Sequence, residues 1–398
     1  MNMFKKIGLG IAALGFGLML TIPTADARQF GYKIDGATVD DVTTTACTTG
    51  PNQNVSGFGN GVSMDQVWDL QKEVGSPGSG AWVNVGGFTD VFPTTNGAAA
   101  VGGITQIMRY SSPEKACYRL KMSTDTAGTA QVQLVADGDS PTAASSLTTS
   151  THTRRFDDFN TGLLPITTGH VADSSYLAFI GGGSSAVVFV VEGDQEGLIT
   201  GSSGSTDNDT DASVISYGLL AHGSLISSGL TVFETRLTLD SAVTLWGINV
   251  GLGDIIQTSG EEPMFECNTN VCAQLPSDDF NNAVAFLYHT DSNDAQGDFW
   301  LAVNENADTM GNAADEYSLG NTPVASTYQI LRLEIDSSGH TFYYINGSLM
   351  GVEPLAVATT AVLIPTVTLN SPDDGTAAVR KVYIDYFDFY TPRPAARP

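Results

Sequence analysis

The sequence predicts an all-β protein in which a small β-rich domain precedes a long antiparallel sandwich or barrel. Apolar Leu331, Leu333 and Ile335 alternate with charged residues, and the pair Asn346-Gly347 follows, as in a half-buried β-hairpin. Further strand-like runs follow one another between turn residues, without a ten-residue helical period. Charged residues make up only 15% of the chain and glycines number 43, so the composition is that of a turn-rich extracellular β protein.

The N-terminus has the three regions of a secretory signal peptide. Lys5 and Lys6 precede an apolar run over residues 7–22, and small residues close the segment at Ala27. Cleavage after Ala27 predicts an exported chain, secreted or held at the cell surface or in the periplasm. An uncleaved anchor is the alternative, but the run is shorter than the roughly 20 residues that a spanning helix needs. We expect no membrane span after cleavage.

The charge of the chain limits its partners. The formal net charge is −26, and loss of residues 1–27 would change it to −27. Because a surface this acidic repels polyanions, we expect neither nucleic acid nor anionic lipid as a partner. Neutral sugars and divalent cations remain compatible with it.

Composition divides the exported chain into two domains. Residues 28–136 form the small β-rich domain, residues 137–153 a linker without apolar period, residues 154–392 the second domain, and residues 393–398 a C-terminal tail. Within the first domain, the segment 64–74 places apolar residues at helical spacing, which predicts one short helix.

Four cysteines in an exported chain predict two disulfides. Keeping each pair within one domain favours Cys47 with Cys117 and Cys267 with Cys272, although three connectivities exist in principle. A metal site is the alternative for Cys267 and Cys272, but their spacing is long for a metal knuckle and the chain has no second pair of that kind.

Several segments of the second domain resemble a known fold family. They read FDDFNT, FETRLTLDSAVTLWGINVGLGD, NAVAFLYHTD, GDFWLAVNEN, YQILRLEIDSSGHTFYYINGSLMG and KVYIDYFDFY. Together they are similar to the concanavalin A-like lectin and glucanase jelly roll, above all to the non-catalytic, laminin-G-like domains found in bacteriophage virion proteins. The resemblance covers residues 154–392. It implies two curved antiparallel sheets packed face to face, with the segments FDDF and DYFDFY pairing near each other.

The resemblance does not extend to a catalytic motif. Glucanases of this fold carry Glu-x-Asp-x-x-Glu on one strand, which points two or more carboxylates into one cleft. The nearest match is Glu334-Ile335-Asp336, and Gly339 stands where the second glutamate should be. We therefore expect no catalytic residues, and expect Glu334 and Asp336 to face solvent. Asp157, Asp158, Asp385 and Asp388 are interpreted as outward residues of edge strands.

Calcium is the candidate cofactor, because hard cations bind several oxygens on flexible loops. Asx-rich turns explain such loops equally well without a metal. The loop of residues 289–298 also departs from an EF-hand in the position of its glycine and in lacking the distal glutamate. The candidate ligands are Asp291, Asn293, Asp294 and Asp298, and a second loop offers Asp207, Asp209 and Asp211.

Sugar binding requires an aromatic platform and polar groups for the hydroxyls. The candidates on predicted strands are Trp246, Asn249, Tyr288, Trp300 and Asn304. The alternative is that the large aromatic side chains fill the core between the sheets.

These observations favour an exported, non-catalytic surface or adhesion protein with a glycan-recognition sandwich. Its expected partner is a carbohydrate or cell-surface glycan, and it is compatible with a homo-oligomer or particle assembly. One alternative is a virion surface or capsid-associated protein of a bacteriophage. Another is a glycoside hydrolase of the concanavalin-like fold.

Overall fold

The structure is a computed structural model and is nearly all strand. Within the described ranges it contains no α-helix and one short 3-10 helix, Ile226–Ser228. The described residues are 29–36, 40–48, 53–60, 66–74, 78–92, 106–124, 130–136, 152–158, 171–172, 176–179, 189–191, 198–202, 208–217, 223–244, 246–254, 264–268, 271–273, 280–290, 299–306, 316–371 and 380–392.

The predicted signal peptide, residues 1–27, lies outside the described ranges. No helix in the described part of the chain is long and apolar enough to cross a membrane.

The first region forms two four-stranded antiparallel sheets, in the orders β1-β8-β3-β6 and β2-β7-β4-β5. A disulfide links Cys47 to Cys117, as predicted, and Trp68, Tyr118 and Leu134 are among the side chains that fill the core of this region. The strands are β1 Gln29–Gly36, β2 Ala46–Cys47, β3 Gln53–Asn60, β4 Val67–Glu73, β5 Trp82–Asn84, β6 Gln106–Ser112, β7 Cys117–Thr124 and β8 Ala130–Ala136.

The second region begins with β9 and forms two larger sheets and a small hairpin. The strands are β9 His152–Asp157, β10 Val171–Ala172, β11 Tyr176–Phe179, β12 Phe189–Val191, β13 Ile199–Ser202, β14 Asn208–Tyr217, β15 Ser224–Leu225, β16 Thr231–Leu239, β17 Gly247–Gly253, β18 Glu266–Asn268, β19 Val271–Ala273, β20 Asn282–His289, β21 Leu301–Asn306, β22 Glu316–Ser318, β23 Gln329–Ile335, β24 Thr341–Ile345, β25 Ser348–Glu353, β26 Val362–Ser371 and β27 Lys381–Pro392.

These strands build an antiparallel sandwich. One sheet has the order β10-β11-β14-β26-β17-β20-β21-β22, with β15 beside β26. The other has the order β12-β13-β27-β16-β23-β24-β25, with β9 beside β27. Alternate residues of both sheets, including Ile248, Phe286, Leu333 and Phe387, point into one shared core. The predicted all-β class and the two-sheet architecture of the concanavalin-like fold are therefore confirmed.

The local signals in the closing part of the chain are also confirmed. Asn346 and Gly347 form the turn between β24 and β25, and both have positive φ, +52° and +77°, as a type I′ hairpin turn requires. The segments FDDF and DYFDFY pair as β9 and β27, with Phe156 opposite Asp388.

The helix predicted over residues 64–74 is wrong. Val67–Glu73 is strand β4, paired with β5 and β7. Trp68 and Leu70 point into the core with a period of two. As alternate residues of a strand, Trp68 and Leu70 are both buried in the core. The free energy gained by burying them outweighs the helical spacing of the aliphatic residues.

The two regions pack against each other through apolar side chains. Phe58 and Val135 of the first region contact Phe342 and Val352 of the second, and these four side chains are at most 1% exposed. Arg109 Nη2 also donates to the carbonyl of Leu349 at 3.3 Å. The first region therefore covers one end of the sheet that contains β24 and β25.

Candidate functional site

The candidate site lies on the outer face of the sheet that contains β16, β23 and β27. On β16 and β23, Phe233 and Leu333 point into the core between the sheets. Because successive strand residues point to opposite faces, Glu234 and Arg332 project from the other side. We call this second side the outer face.

Strand register aligns one row of side chains across the outer face. Asp388 pairs with Glu234, Glu234 with Arg332, and Arg332 with Tyr344. Phe156 extends the row beyond Asp388. Glu234 and Arg332 are oppositely charged partners, which stabilises the sheet. Asp388 and Glu234 are like-charged partners, and each is neutralised by an arginine, Asp388 by Arg154 and Glu234 by Arg332.

Arg332 holds two glutamates at the centre of this row. Its Nη1 donates to Glu234 Oε2 at 3.2 Å, and its Nε donates to Glu334 Oε1 at 2.8 Å. The hydroxyl of Tyr344 donates to Glu334 Oε2 at 3.4 Å. Burial alone would lower the pKa of Arg332, but the charges of Glu334 and Glu234 outweigh it and raise that pKa. Both carboxylates are therefore engaged within the protein.

A β-bulge turns two consecutive residues of β27 to the outer face. The register pairs Arg236 with Tyr386 and then Leu237 with Ile384, so Asp385 has no partner in the ladder. Asp385 accepts a hydrogen bond from Arg236 Nη1 at 2.6 Å. The hydroxyl of Tyr386 donates to Glu234 Oε1 at 2.7 Å. Bulges of this kind re-aim side chains at sites.

The part of the outer face away from the first region exposes aromatic rings beside charged groups. Phe156 is 48% exposed, and its ring lies 5.7 Å from that of Tyr386. The guanidinium of Arg154 stacks over Phe156 at 5.0 Å. We call Arg154, Phe156, Glu234, Tyr386 and Asp388 the open end of the outer face.

Arg154 is fixed by a two-pronged ion pair. Its Nε and Nη2 donate to the two carboxylate oxygens of Asp388 at 2.9 and 2.8 Å. The hydrogen bonds that Arg154 donates to Asp388 raise the pKa of Arg154. Burial, together with the hydrogen bond and charge of Glu234, raises the pKa of Tyr386. At neutral pH the open end thus presents a charged guanidinium and a neutral phenol.

A second aromatic contact borders the open end. The guanidinium of Arg236 lies 4.2 Å from the ring centroid of Tyr328, which is 36% exposed. Arg236 also bonds Asp385. Arg154 also lies 5.3 Å from the ring centroid of Tyr390. On the outer face, two arginines therefore stack on aromatic rings, and each arginine is anchored by an aspartate.

The motif near Glu334 has a different setting from the one expected. Glu334 does not face solvent: it is completely buried, because Arg332 and Tyr344 bond it and its cross-strand neighbour Phe342 lies under the first region. Gly339 has a φ of +83°, and a Cβ there would lie 2.2 Å from the carbonyl oxygen of Val357. A glutamate therefore does not fit at the position of the missing catalytic residue.

Of the four aspartates interpreted as outward residues of edge strands, Asp385 and Asp388 differ from expectation. Strand β27 is not an edge strand, because β9, β13 and β16 all pair with it. Asp385 and Asp388 do lie on the outer face, but each is ion-paired with an arginine. Asp158 is exposed, and the side chain of Asp157 lies outside the described part of the chain.

The predicted aromatic platform lies in the core. Trp246, Tyr288 and Trp300 are at most 1% exposed and belong to the main apolar cluster between the sheets. The indole N–H of Trp246 donates to the carbonyl of Ala242, and that of Trp300 donates to Gln329. The rings of Tyr288 and Trp300 lie 5.7 Å apart. The structure thus brings these aromatics together as the core, the alternative that the sequence left open.

The two predicted asparagines are buried apart from this aromatic cluster. Asn249 points away from the core, since its neighbours Ile248 and Val250 point inward, and it donates to the carbonyl of Phe265 at 3.0 Å. Asn304 donates to the carbonyl of Ala356 at 3.3 Å. A sugar platform would therefore have to come from other residues in this conformation.

The predicted metal ligands Asp291, Asn293, Asp294 and Asp298 lie outside the described residues, as does Asp207. Among the side chains that the structure does describe, no group of three or more His, Cys, Asp or Glu could hold a metal ion. Strands β18 and β19 pair Cys267 directly with Cys272, but the side chains of both lie outside the described part.

Sequence reasoning missed most of the open end. Arg154 and Asp388 are 234 positions apart, so their pairing follows only from the closure of β9 onto β27. One signal was readable, because the aromatic residues of DYFDFY cannot all fit on the buried face of a strand. Which of them points outward depends on the bulge.

Comparisons with known proteins found similarity in structure but no match in sequence. No protein-family model matches the sequence, and no curated protein matches it. The chain is similar in structure to a protein of unknown function from Shewanella oneidensis MR-1, with 16% identity over 65% of this chain and 97% of that one and a TM-score of 0.37.

Two further solved structures are similar to this chain. They are the carbohydrate recognition domain of Emp47p, with 11% identity over 61% and 98% of the two chains and a TM-score of 0.35, and the Bacillus licheniformis beta-glucanase, with 10% identity over 60% and 98% and a TM-score of 0.36. Similarity at this level carries no argument about ligand or activity, so the function must be inferred from the residues of this chain.

Proposed function

We propose that the protein is an exported, non-catalytic glycan-recognition protein that binds sugar at the open end of the outer face. The observation that carries this proposal is the exposed ring of Phe156 beside Tyr386, flanked by the anchored guanidinium of Arg154. An exposed aromatic surface next to fixed polar groups is the arrangement that a carbohydrate needs, because a sugar ring has an apolar face and a polar rim.

The polar groups at the open end are oriented before a ligand arrives. Arg154 uses Nε and Nη2 on Asp388, so its Nη1 hydrogens are directed away from that carboxylate. About half of the Arg154 side chain is exposed. A sugar hydroxyl can accept a hydrogen bond from Arg154 while its ring packs on Phe156. Because these groups are already held in place, binding loses little side-chain entropy.

Three features support a binding role rather than hydrolysis. Glu334 is completely buried, and Glu234 already accepts hydrogen bonds from Arg332 and Tyr386. At Gly339 the backbone has no room for the further glutamate of the glucanase motif. A hydrolase of this fold needs two carboxylates that reach the glycosidic bond.

Export is supported by the N-terminal segment and by the disulfide. Residues 1–27 have the order of regions of a signal peptide. The bond between Cys47 and Cys117 fits an oxidising compartment, because cytosolic thiols are normally kept reduced.

The test is sugar binding by the mature chain, residues 28–398, on a glycan array, followed by titration of the best ligand. Phe156→Ala should weaken binding about tenfold, which corresponds to about 1.4 kcal/mol. Leu355→Ala, which removes another exposed apolar side chain, is the matched control and should bind like the wild type.

Three results would overturn the proposal. The first is the same affinity in wild type, Phe156→Ala and Arg154→Ala, and the second is no binding to any glycan. The third is that the wild type releases reducing sugars from β-glucans and that Glu234→Gln or Glu334→Gln abolishes this release, since the protein would then be a hydrolase.

A further inference from the structure

We propose that the first region carries a second, separate face for neutral sugar chains, on the outer side of the sheet β2-β7-β4-β5. Trp68 and Leu70 of β4 point into the core of this region. The alternate residues of β4, together with their partners on β5 and β7, therefore project outward. We call these residues the Trp82 face; they are Asp69, Gln71, Glu73, Trp82, Asn84 and Arg119.

Hydrogen bonds fix the orientation of the polar groups on this face. Arg119 Nε donates to Gln71 Oε1 at 2.9 Å, and Gln71 Nε2 donates to Asn84 Oδ1 at 2.9 Å. Asn84 Nδ2 in turn donates to Asp69 Oδ2 at 3.1 Å, and Asp69 Oδ1 accepts from the backbone of Asp90 at 3.0 Å. Each amide retains one N–H and one carbonyl lone pair beyond this chain of bonds.

An indole ring lies at the edge of the same array. Trp82 is directly across from Glu73 in the register, and the guanidinium of Arg119 stacks on its ring at 4.3 Å. Arg119 thus joins the ring to the amides. Glu73 is held in place as well, because the backbone N–H of Gly80 donates to its Oε1 at 3.0 Å. An aromatic side chain beside an ordered row of amides has the donors, acceptors and apolar surface that a sugar requires.

Charge on this face points to a neutral ligand. Asp69 and Glu73 lie on the face with Arg119, and Lys121 is the cross-strand neighbour of Asp69. Lys121 is ion-paired with Asp40 at 2.7 Å, so three carboxylates accompany two cations here. On a chain of net charge −26, such a face offers no excess of cations to hold a phosphate, sulfate or uronate. Its array of amides instead complements hydroxyl groups.

The Trp82 face is independent of the open end, since the two lie on different sheets and share no residue. Two sugar sites on one chain would bind the same polysaccharide with avidity, provided that both engage at once.

The test is affinity gel electrophoresis of the mature chain, residues 28–398, in gels that contain β-glucan, xylan or mannan. Trp82→Ala should weaken retardation about tenfold on a polysaccharide that retards the wild type. Asn84→Ala should also weaken retardation. Because Asn84 is exposed, this substitution should leave the core of the first region intact. Val83→Ala is the matched control, because Val83 is 45% exposed on the same strand but points to the other face.

The double variant Trp82→Ala/Phe156→Ala separates the two proposals. If Trp82→Ala weakens binding in both the wild-type and the Phe156→Ala background, the second face is supported whether or not Phe156 contributes. If Trp82→Ala and Asn84→Ala both bind like the wild type while their thermal unfolding is unchanged, the second face is excluded even where Phe156→Ala abolishes binding. Absence of retardation of the wild type on all three polysaccharides also contradicts it.

Discussion

The two ends of the outer face belong to one sheet and share its alternation of inward and outward side chains, but they lie on different strands and have different surroundings. We call the side chains that the first region covers, namely Phe342, Tyr344, Leu349 and Val352, the interface end. The open end and the residues that border it, two and three strands away in the sheet order, carry two arginines, carboxylates and exposed rings instead. The boundary between them is strand β23, which carries Arg332 and lies between β16 and β24.

The difference shows how one sheet face can serve two purposes. At the interface end, apolar side chains exclude water and hold the first region by burial. At the open end, each charged side chain forms an ion pair with a side chain of opposite charge. These ion pairs keep the surface polar and also fix the orientation of its side chains. Glu334 is bonded to Arg332 of the charged row but is buried like the interface end, and the hydrogen bonds from Arg332 and Tyr344 make that position tolerable.

The strongest way to break this boundary is to remove its guanidinium. Arg332→Met leaves Glu334 buried without its partner, which should lower the free energy of unfolding by about 3–5 kcal/mol. Urea unfolding followed by circular dichroism measures the change. The double variant Arg332→Met/Glu334→Met should recover much of the loss, because it removes both charges. Arg236→Met, in an exposed pair at the open end, should cost only about 1 kcal/mol or less. Equal losses for the two single variants would contradict the distinction.

The interface end should be sensitive to the loss of apolar contacts. Phe342→Ala opens a cavity between Phe58 and Val352 and should lower the free energy of unfolding by about 3 kcal/mol. The same denaturation experiment applies. Val324→Ala, at a position 56% exposed, is the control and should change stability by less than about 0.5 kcal/mol. If both variants unfold at the same denaturant concentration, the two regions do not stabilise each other through this cluster.

The smallest effect concerns the turn between β23 and β24, where His340 accepts a hydrogen bond from the backbone of Leu355 at 3.0 Å. Burial lowers the pKa of His340, against the opposing charge of Asp336. As the pH falls below about 6.5, the ordinary pKa of histidine, His340 is therefore protonated in the unfolded chain before it is protonated in the folded chain. The free energy of unfolding declines in this pH range. His340→Asn keeps an acceptor but does not titrate, so its free energy of unfolding should fall less between pH 7 and pH 5. A decline as steep as that of the wild type would exclude His340 as its source.

The fold was more readable from the sequence than the site was. The hairpin at Asn346-Gly347 follows from local turn chemistry and from the alternation of Leu331, Leu333 and Ile335, and it is confirmed. Trp246 and Trp300 are side chains of the type that forms a sugar platform, but both are buried in the core. The alternation of residues along a strand does not say which face of the sheet is buried. The pairing of Arg154 with Asp388 depends on closure of distant strands, which no local pattern encodes.

The bulge at Asp385 divides β27 into two halves of opposite phase. Ile384 before it and Phe387 after it both reach the core, although three positions separate them instead of an even number. Inserting or deleting one residue here would exchange the buried and outward side chains of one half of the strand, whereas substitutions leave the phase intact. Substitutions can therefore change which side chains the outward surface carries. Which positions of β27 point outward depends instead on the number of residues in that strand.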